Sequence, residues 1–248
     1  GVILMFLLVT KKRANRIISP ASSVLEDIAK AQKAVRNDHA VQTYIGKHQT
    51  PLNSKTPKGD VDTPLKSQEN AGGDVPNKVT APGKSELDAL RKELGVQSTH
   101  TIAVGRTDVP GLEQIRLAGG SPAVRKEAGA LDLDTIAPNR PIKSPAKIPL
   151  GTRHAEEDLI NQFVDVVNRA KIAASDVKGT LYIHQSNPRG VCTNCIQGVG
   201  NDKTPGVFKQ LSTKYPNLVI KATTETVEGV KPAGRFFFTL QNGKFIEN

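Results

Sequence analysis

The 248-residue sequence predicts an α/β fold in its C-terminal part, behind a largely disordered N-terminal tail. Two observations support this division. Strand-like and helix-like hydrophobic patterns alternate from about residue 98 onward, which is typical of a sheet covered by helices. Only Phe6 and Tyr44 precede Phe163 among the seven Phe and three Tyr residues, so the large side chains that fill a core are concentrated near the C-terminus.

Residues 1–45 are interpreted as the end of a delivery region. The first ten residues, GVILMFLLVT, are apolar, but as a helix they would rise only about 15 Å, half of a bilayer core. The basic KKR follows this run, whereas the charges of a secretory signal precede its apolar stretch, so no cleavable signal is expected here. The run fits a severed translocation segment or a helix end that masks a surface. VLEDIAKAQKAVRN then predicts an amphipathic helix.

Residues 46–97 predict a flexible linker that ends in a short helix. From Gly46 to Lys84 the chain is rich in Pro and Gly and has no aromatic residue and no lasting period. In SELDALRKELG, Ser85 is the expected N-cap and Gly95 the expected end, with Leu residues three and four positions apart between them.

Residues 98–248 predict one folded domain, whose elements follow in order. Thr101–Val104 is the first strand, with LEQIRL as its hairpin partner, and GGSPAVRKEAGALDLD supplies a turn and a short helix. Thr152 stands at the start of an amphipathic helix whose apolar stripe is Leu159, Ile160, Phe163, Val166, Val167 and Ala170.

The remaining elements continue the alternation. TLYIH is a buried strand, a helical stretch runs from Cys192 to TKYPN, and Leu218 to Thr223 is a further strand. RFFFTLQNGKF predicts a terminal hairpin that turns at Asn242 and Gly243.

Charge and cysteine content narrow the function classes only partly. The formal net charge of +10 is shared between the tail and the domain, so it favours a polyanionic partner only weakly. The two cysteines, Cys192 and Cys195, exclude a disulfide-rich secreted scaffold.

Two short motifs carry the chemistry: His154-Ala155-Glu156 at one helix start and Cys192-Thr193-Asn194-Cys195 at the next. One imidazole and two thiolates supply the three protein ligands of a catalytic zinc site, whose fourth position stays open. A helix N-terminus favours the thiolate form that metal binding requires. The same cysteines also fit a redox pair or a structural zinc site.

Glu156 separates catalysis from a structural metal site. Steps of four, three and four residues from it reach Ile160, Phe163 and Val167, so its carboxylate belongs to the stripe that faces the core, whereas Glu157 points to another face. Beside a zinc-bound water such a group can act as a general acid and base. A plain alternative is that Glu156 only stabilises the helix dipole.

Together these motifs resemble the zinc-dependent cytidine deaminase superfamily, whose signature is HxE followed by PCxxC. In detail, SNPRGVCTNC is similar to the bacterial polymorphic-toxin deaminases, including the interbacterial DNA cytosine deaminase toxins. VGRTDVPGLE, GGSPAVRKEAG and RHAEE also look like such toxin domains. The resemblance covers about residues 98–248. Val191 departs from the superfamily Pro, while Asn187, Pro188 and Gly190 match the toxin form of the turn.

The resemblance implies a three-layer sandwich in which a mixed sheet of about five strands is flanked by helices. It also implies a Zn²⁺ cofactor held by His154, Cys192 and Cys195, with Glu156 as proton shuttle. The implied reaction is hydrolytic deamination of cytosine in single- or double-stranded DNA, or in RNA. A secreted or translocated effector acting in a target cell, a larger delivery polypeptide and a cognate immunity protein are implied as well.

Substrate-contacting residues are less sharply marked. A base within a polymer must leave its stack, and cations and aromatic rings assist this. Asn187 in the turn is the best side-chain candidate, with Arg106, Arg153 and Arg189 as cationic candidates. Arg235, Tyr182 and Phe237 are further candidates, although strand alternation favours core packing as the role of the two aromatic residues.

Three other functions stay open from the sequence. A free-nucleoside deaminase would use the same metal and acid. A binding module would use zinc only as a staple, and a redox protein would cycle Cys192 and Cys195 between thiols and a disulfide.

Overall fold

The computed structural model describes residues 78–97, 99–201 and 203–247. The predicted apolar segment, the helix in VLEDIAKAQKAVRN and nearly all of the linker lie outside these residues. Of the helices in the described part of the chain, none combines the length and the hydrophobicity that crossing a bilayer requires.

A mixed sheet of six strands is the centre of the fold, whereas about five strands were expected. The strands are β1 (Ile102–Thr107), β2 (Leu117–Gly120), β3 (Gly179–Gln185), β4 (Leu218–Thr224), β5 (Phe237–Gln241) and β6 (Lys244–Ile246). Their spatial order is β2-β1-β3-β4-β5-β6, and only the β3–β4 pair is parallel. The predicted α/β fold with a helix-flanked mixed sheet is confirmed.

Helices cover both faces of this sheet. They are α1 (Lys84–Leu94), α2 (Pro122–Ala128), α3 (Leu133–Ile136), α4 (Ala155–Arg169), α5 (Thr193–Ile196) and α6 (Val207–Lys214). The main core lies between the sheet and α4 with α6, where Phe163 and Phe208 are fully buried. A second core lies beneath α1, where Leu87 and Leu90 pack on Ile102 of β1. Burying each Leu contributes about 1.5–3 kcal/mol.

The alternating pattern of β1 explains why both faces need a helix. Ile102 and Val104 pack into the second core beneath α1, while Ala103 packs into the main core. Because side chains on a strand point alternately to opposite faces, a strand that is apolar on both faces must be covered on both. The helix α1, at the end of the predicted linker, therefore belongs to the packed domain.

Two predicted boundaries on this side of the domain were wrong. The N-cap of α1 is Gly83 rather than Ser85, and the Glu86 carboxylate accepts the Gly83 backbone N–H at 3.0 Å. The hairpin partner of β1 is Leu117–Gly120 rather than LEQIRL. Leu112 and Ile115 lie three residues apart in consecutive turns and are buried there, so they fill the core without forming a strand.

Two helix predictions near the motifs also need correction. α4 begins at Ala155 rather than Thr152, because Arg153 takes a positive φ of 59° and His154 is the extended N-cap. The stretch from Cys192 to TKYPN is two helices rather than one. Gly198 and Gly200 have positive φ and interrupt it, and Gly206 packs against the backbone of Asn194 and Cys195.

Candidate metal and acid site

The two cysteines are presented by a tight turn that follows β3. Gly190 takes a φ of +94°, and the Arg189 backbone N–H donates to the Asn187 side-chain oxygen at 3.0 Å. Val191 then pairs with Arg235 as an isolated bridge. After this bridge Cys192 is the N-cap of α5 and Cys195 lies within α5, so one short helix brings both sulfurs to the same side.

His154 is the N-cap of α4, and a hydrogen bond from the ring nitrogen that faces away from the sulfurs holds it in place. Its Nε2 donates to the Leu150 carbonyl oxygen at 2.8 Å. That hydrogen bond fixes the orientation of the ring and leaves Nδ1 directed at the sulfurs. The ring is thus oriented as a metal-ligating histidine is in known sites.

The three donor atoms converge at one point. His154 Nδ1 lies 3.2 Å from Cys192 Sγ and 3.3 Å from Cys195 Sγ, and the two sulfurs lie 3.4 Å apart without a bond between them. In a tetrahedral zinc site with normal bond lengths, such edges measure about 3.6 Å for N–S and about 3.8 Å for S–S. The donor set and its spacing therefore fit a zinc ion, and these three residues could hold a metal ion.

Hydrogen bonds and burial within the protein shift the pKa values of all three residues of the cluster. The hydrogen bond with Cys195, together with the one from His154, lowers the pKa of Cys192 to about 4. The hydrogen bond with Cys192 raises the pKa of His154 to about 9. The hydrogen bond between the two cysteines, together with burial, raises the pKa of Cys195. Cys192 is thus a thiolate at neutral pH, which is the form a metal binds.

The first turn of α4 carries three consecutive acids, and all three are buried. Glu157 pairs with Arg140, whose Nη2 lies 2.6 Å from a carboxylate oxygen, and it also accepts the Arg153 backbone N–H at 2.8 Å. Asp158 pairs with Arg125 at 2.8 Å and accepts the Gly120 N–H at 3.1 Å. Glu157 does lie on a different side from Glu156, but it is as deeply buried.

Glu156 is the exception among these acids. It is 3 % exposed, yet it makes no ion pair with an Arg or Lys among the residues that the structure describes. Burial, followed by the neighbouring Cys192, raises the pKa of Glu156 to about 7. A carboxyl group poised near neutral pH can both take and return a proton, which general acid–base chemistry requires.

A cavity of about 630 Å³ opens over this cluster. It is lined by His154, Glu156 and Cys192, and on its other walls by the Thr99–Thr101 and Ser121–Ala123 segments and by Pro149 and Leu150. The volume is in the range of ordinary ligand sites. His154, Cys192 and Glu156 therefore face a space large enough for a ligand of nucleoside size.

Two of the four predicted substrate contacts line the cavity. Asn187 does, and its side-chain Nδ2 has no hydrogen-bond partner within the described ranges. Arg153 does as well, but its guanidinium lies 3.2 Å from Asp132 and 3.4 Å from Asp134. Those carboxylates neutralise much of its charge toward a ligand.

The other predicted contacts lie elsewhere. Arg106 pairs with Glu86 at 2.6 Å and ties α1 to β1, and it does not line the cavity. Arg189 is exposed in the turn beside the cavity without lining it. Arg235 stacks on the Phe245 ring at 4.0 Å, and Tyr182 and Phe237 lie on sheet strands away from the cavity lining.

Sequence reasoning missed several residues that build the site. Arg140 and Arg125 pair with acids 17 and 33 positions away, and no local pattern marks such contacts. Gly119 is a second case, because a Cβ there would come within 2.0 Å of the Ala155 carbonyl oxygen. The glycine pair in LAGG was the available signal, since adjacent glycines in a strand often mark a close approach of backbone.

Comparison with known proteins brings no match: no family model, no curated protein and no solved structure matches this chain. The site itself and the motifs that present it are therefore the features that bear on function.

Proposed function

We propose that this chain is a zinc-dependent hydrolase that deaminates cytosine in nucleic acid, with DNA as the favoured polymer. The observation that carries the proposal is Glu156, a buried acid that makes no ion pair with any described residue and lines the same cavity as His154 and Cys192. A carboxylate in that position costs folding free energy, so a role in chemistry explains why it is there.

His154, Cys192 and Cys195 would hold the zinc ion, which when bound supplies an activated water as the nucleophile. Glu156 would take a proton on its carboxylate at the attack on the ring carbon and deliver it to the departing amino group. Overall, cytosine and water give uracil and ammonia. Because no ligand of the metal can move this proton, the reaction needs a separate acid at the position that Glu156 occupies.

The cavity lining supports a neutral ring rather than a phosphate inside the site. Apart from the candidate metal ligand His154, the basic side chains in its lining are Arg153 and His100, and both already face carboxylates: Asp132 with Asp134, and Glu127 at 2.5 Å from His100 Nδ1. A phosphate group would find no uncommitted cation there. The Asn187 amide can instead donate to an acceptor on the base or sugar.

A role as the C-terminal effector of an interbacterial toxin follows from the resemblance of SNPRGVCTNC and RHAEE to toxin deaminases. Under this proposal the effector reaches the cytoplasm of a target cell as part of a larger delivery polypeptide. A cognate immunity protein protects the producing cell by blocking the cavity.

The decisive experiment is to express the full chain, and separately its Glu156→Ala variant, in cells that lack uracil excision repair, and to sequence their DNA and RNA. We expect C-to-T changes in DNA, or C-to-U changes in RNA, from the wild type alone. The variant must keep its bound zinc and its thermal unfolding midpoint, so that loss of editing reports lost chemistry rather than lost fold.

The alternatives give different results in the same design. A free-nucleoside deaminase leaves both nucleic acids unchanged and converts cytidine to uridine when the purified chain is assayed. A zinc-stapled binding module produces no uracil from cytidine, single-stranded DNA, duplex DNA or RNA, and that result would overturn the proposal.

A further inference from the structure

An exposed apolar tip stands at the mouth of the cavity. Leu150 is 87 % exposed, more than any other large hydrophobic side chain in the described part of the chain, and Ile148 is 61 % exposed. Pro149 between them is also exposed. Three adjacent apolar residues in solvent are unusual for a monomer and mark a contact surface.

The backbone beneath this tip is held in place although its side chains are free. The Leu150 carbonyl oxygen accepts from His154 Nε2 at 2.8 Å, and the next carbonyl, of Gly151, accepts from Ser144 Oγ at 2.6 Å. Gly151 N–H donates to the Ile148 carbonyl at 3.0 Å. The tip is therefore built on the same hydrogen bond that orients a candidate metal ligand.

Close packing adds to this rigidity. A Cβ at Gly151 would approach Ala146 Cβ and Asn194 Nδ2 to 2.6 Å, so the turn lies directly against α5, which carries the cysteines. A rigid backbone with exposed apolar side chains can push into a partner without first losing conformational entropy.

The position of the tip relates it to the proposed substrate. Pro149 and Leu150 line the same cavity as Glu156 and Cys192. Lys147, which directly precedes the tip, is exposed and makes no ion pair within the described ranges. An apolar tip flanked by a cation matches a nucleic-acid strand, which presents apolar base faces between phosphates.

A base inside a duplex cannot reach the buried Glu156 unless it leaves the stack, which costs stacking and pairing free energy. Apolar side chains that insert between base steps offset this cost by filling the gap. We infer that Ile148, Pro149 and Leu150 form a wedge that inserts beside the target cytosine of duplex DNA and holds it unstacked toward the cavity. This inference rests on the proposed function.

The test measures unstacking separately from turnover. The zinc-loaded full chain carrying Glu156→Ala is bound to duplex DNA with 2-aminopurine next to the target cytosine, and the fluorescence rise on binding is recorded. Adding Leu150→Ala should reduce that rise at least fivefold. The matched control is Val227→Ala, which truncates another exposed apolar residue, 51 % exposed and outside the cavity lining, and should leave the rise unchanged.

A second readout uses the active protein. The ratio of cytosine conversion in duplex DNA to conversion in single-stranded DNA should fall at least fivefold in Leu150→Ala and stay constant in Val227→Ala. An unchanged ratio together with an unchanged fluorescence rise would overturn the wedge, and would indicate that the tip contacts a protein partner instead. If the wild type converts no cytosine in any substrate, the proposed function itself fails, which is a different result.

Discussion

The buried acids on the two sides of the first turn of α4 have different surroundings. On one side Glu157 and Asp158 are enclosed with Arg140 and Arg125, and each carboxylate also accepts a backbone N–H. On the cavity side Glu156 is buried to the same extent but faces the His–Cys–Cys cluster without an arginine.

The difference separates buried acids that are paired with a cation from one that is not. A buried ion pair is tolerated when its hydrogen bonds are complete, and breaking it is costly. The pairs of Glu157 and Asp158 tie α4 to the segments that hold Arg140 and Arg125, so they hold the helix start in place. Glu156 gains no such compensation from the described residues, and its carboxyl group lies beside the three residues that could hold a metal ion.

The largest effect on stability is expected from Arg140→Met. It leaves Glu157 buried without its cation, which should cost about 3–5 kcal/mol in the free energy of unfolding. Urea denaturation checks this. The matched control is Arg169→Met, which breaks the exposed pair with Asp165 on the same helix and should cost no more than about 0.5 kcal/mol. Equal losses in the two variants would contradict the structural role of Arg140.

Gly119→Ala should displace the first turn of α4, which carries all three buried acids. The new methyl would meet the Ala155 carbonyl oxygen at 2.0 Å, so the residue between His154 and Glu156 must move. We expect a loss of about 1–3 kcal/mol and weaker zinc retention. In the control Gly120→Ala the methyl meets a Val124 side-chain carbon at 3.0 Å, which can shift more easily. Retention of zinc by Gly119→Ala at the wild-type level would count against this role.

The two glutamates should differ when each is made neutral. Glu157→Gln weakens the Arg140 pair and should cost about 1–3 kcal/mol. Glu156→Gln removes a carboxylate that makes no ion pair within the described ranges, so the unfolding free energy of the metal-free chain should stay within about 1 kcal/mol of the wild type, or rise. Denaturation of both variants side by side is the measurement. A loss in Glu156→Gln as large as in Glu157→Gln would contradict the expected difference between the two carboxylates.

Tyr215 provides a smaller test of the same reasoning. Its hydroxyl is buried and has no hydrogen-bond partner among the described residues, and its ring packs edge to face with Phe163, away from the cavity lining. Removing the hydroxyl in Tyr215→Phe should leave function intact and raise stability by about 1 kcal/mol.

The stability difference between the wild type and Tyr215→Phe should also depend on pH. Burial raises the pKa of Tyr215 to about 12, above its ordinary value of about 10. Because the unfolded chain loses this proton at a lower pH than the folded chain does, the wild type should lose stability relative to Tyr215→Phe as the pH rises from about 10 toward 12. Thermal melts of wild type and Tyr215→Phe between pH 9 and 12 should diverge in that window. If the melting temperatures of the two proteins change in parallel with pH, the raised pKa of Tyr215 is contradicted.

How much the sequence predicted depended on the range of each interaction. The order of strands and helices and the terminal hairpin follow local periodicity, and the structure has them. His154 with Glu156, and Cys192 with Cys195, were recognisable as pairs because spacing within one turn fixes such neighbours. The sequence alone could not show that the two motifs meet, because 38 positions separate His154 from Cys192.

The remaining features depend on contacts between distant segments. The arginine partners of Glu157 and Asp158 and the close approach of Gly119 to Ala155 arise only after folding. The exposed Leu150 contradicts the ordinary expectation that a leucine is buried, so its exposure was visible only in the structure.

Metal analysis of the purified full chain shows whether His154, Cys192 and Cys195 hold zinc beside Glu156. Elemental analysis should find about one zinc per chain in the wild type and in Glu156→Gln, and almost none in Cys195→Ser. Both thiols should react with a thiol reagent only after chelation. A wild-type chain that contains no zinc, and whose cysteines react or oxidise freely without chelation, would contradict the account and favour a redox pair.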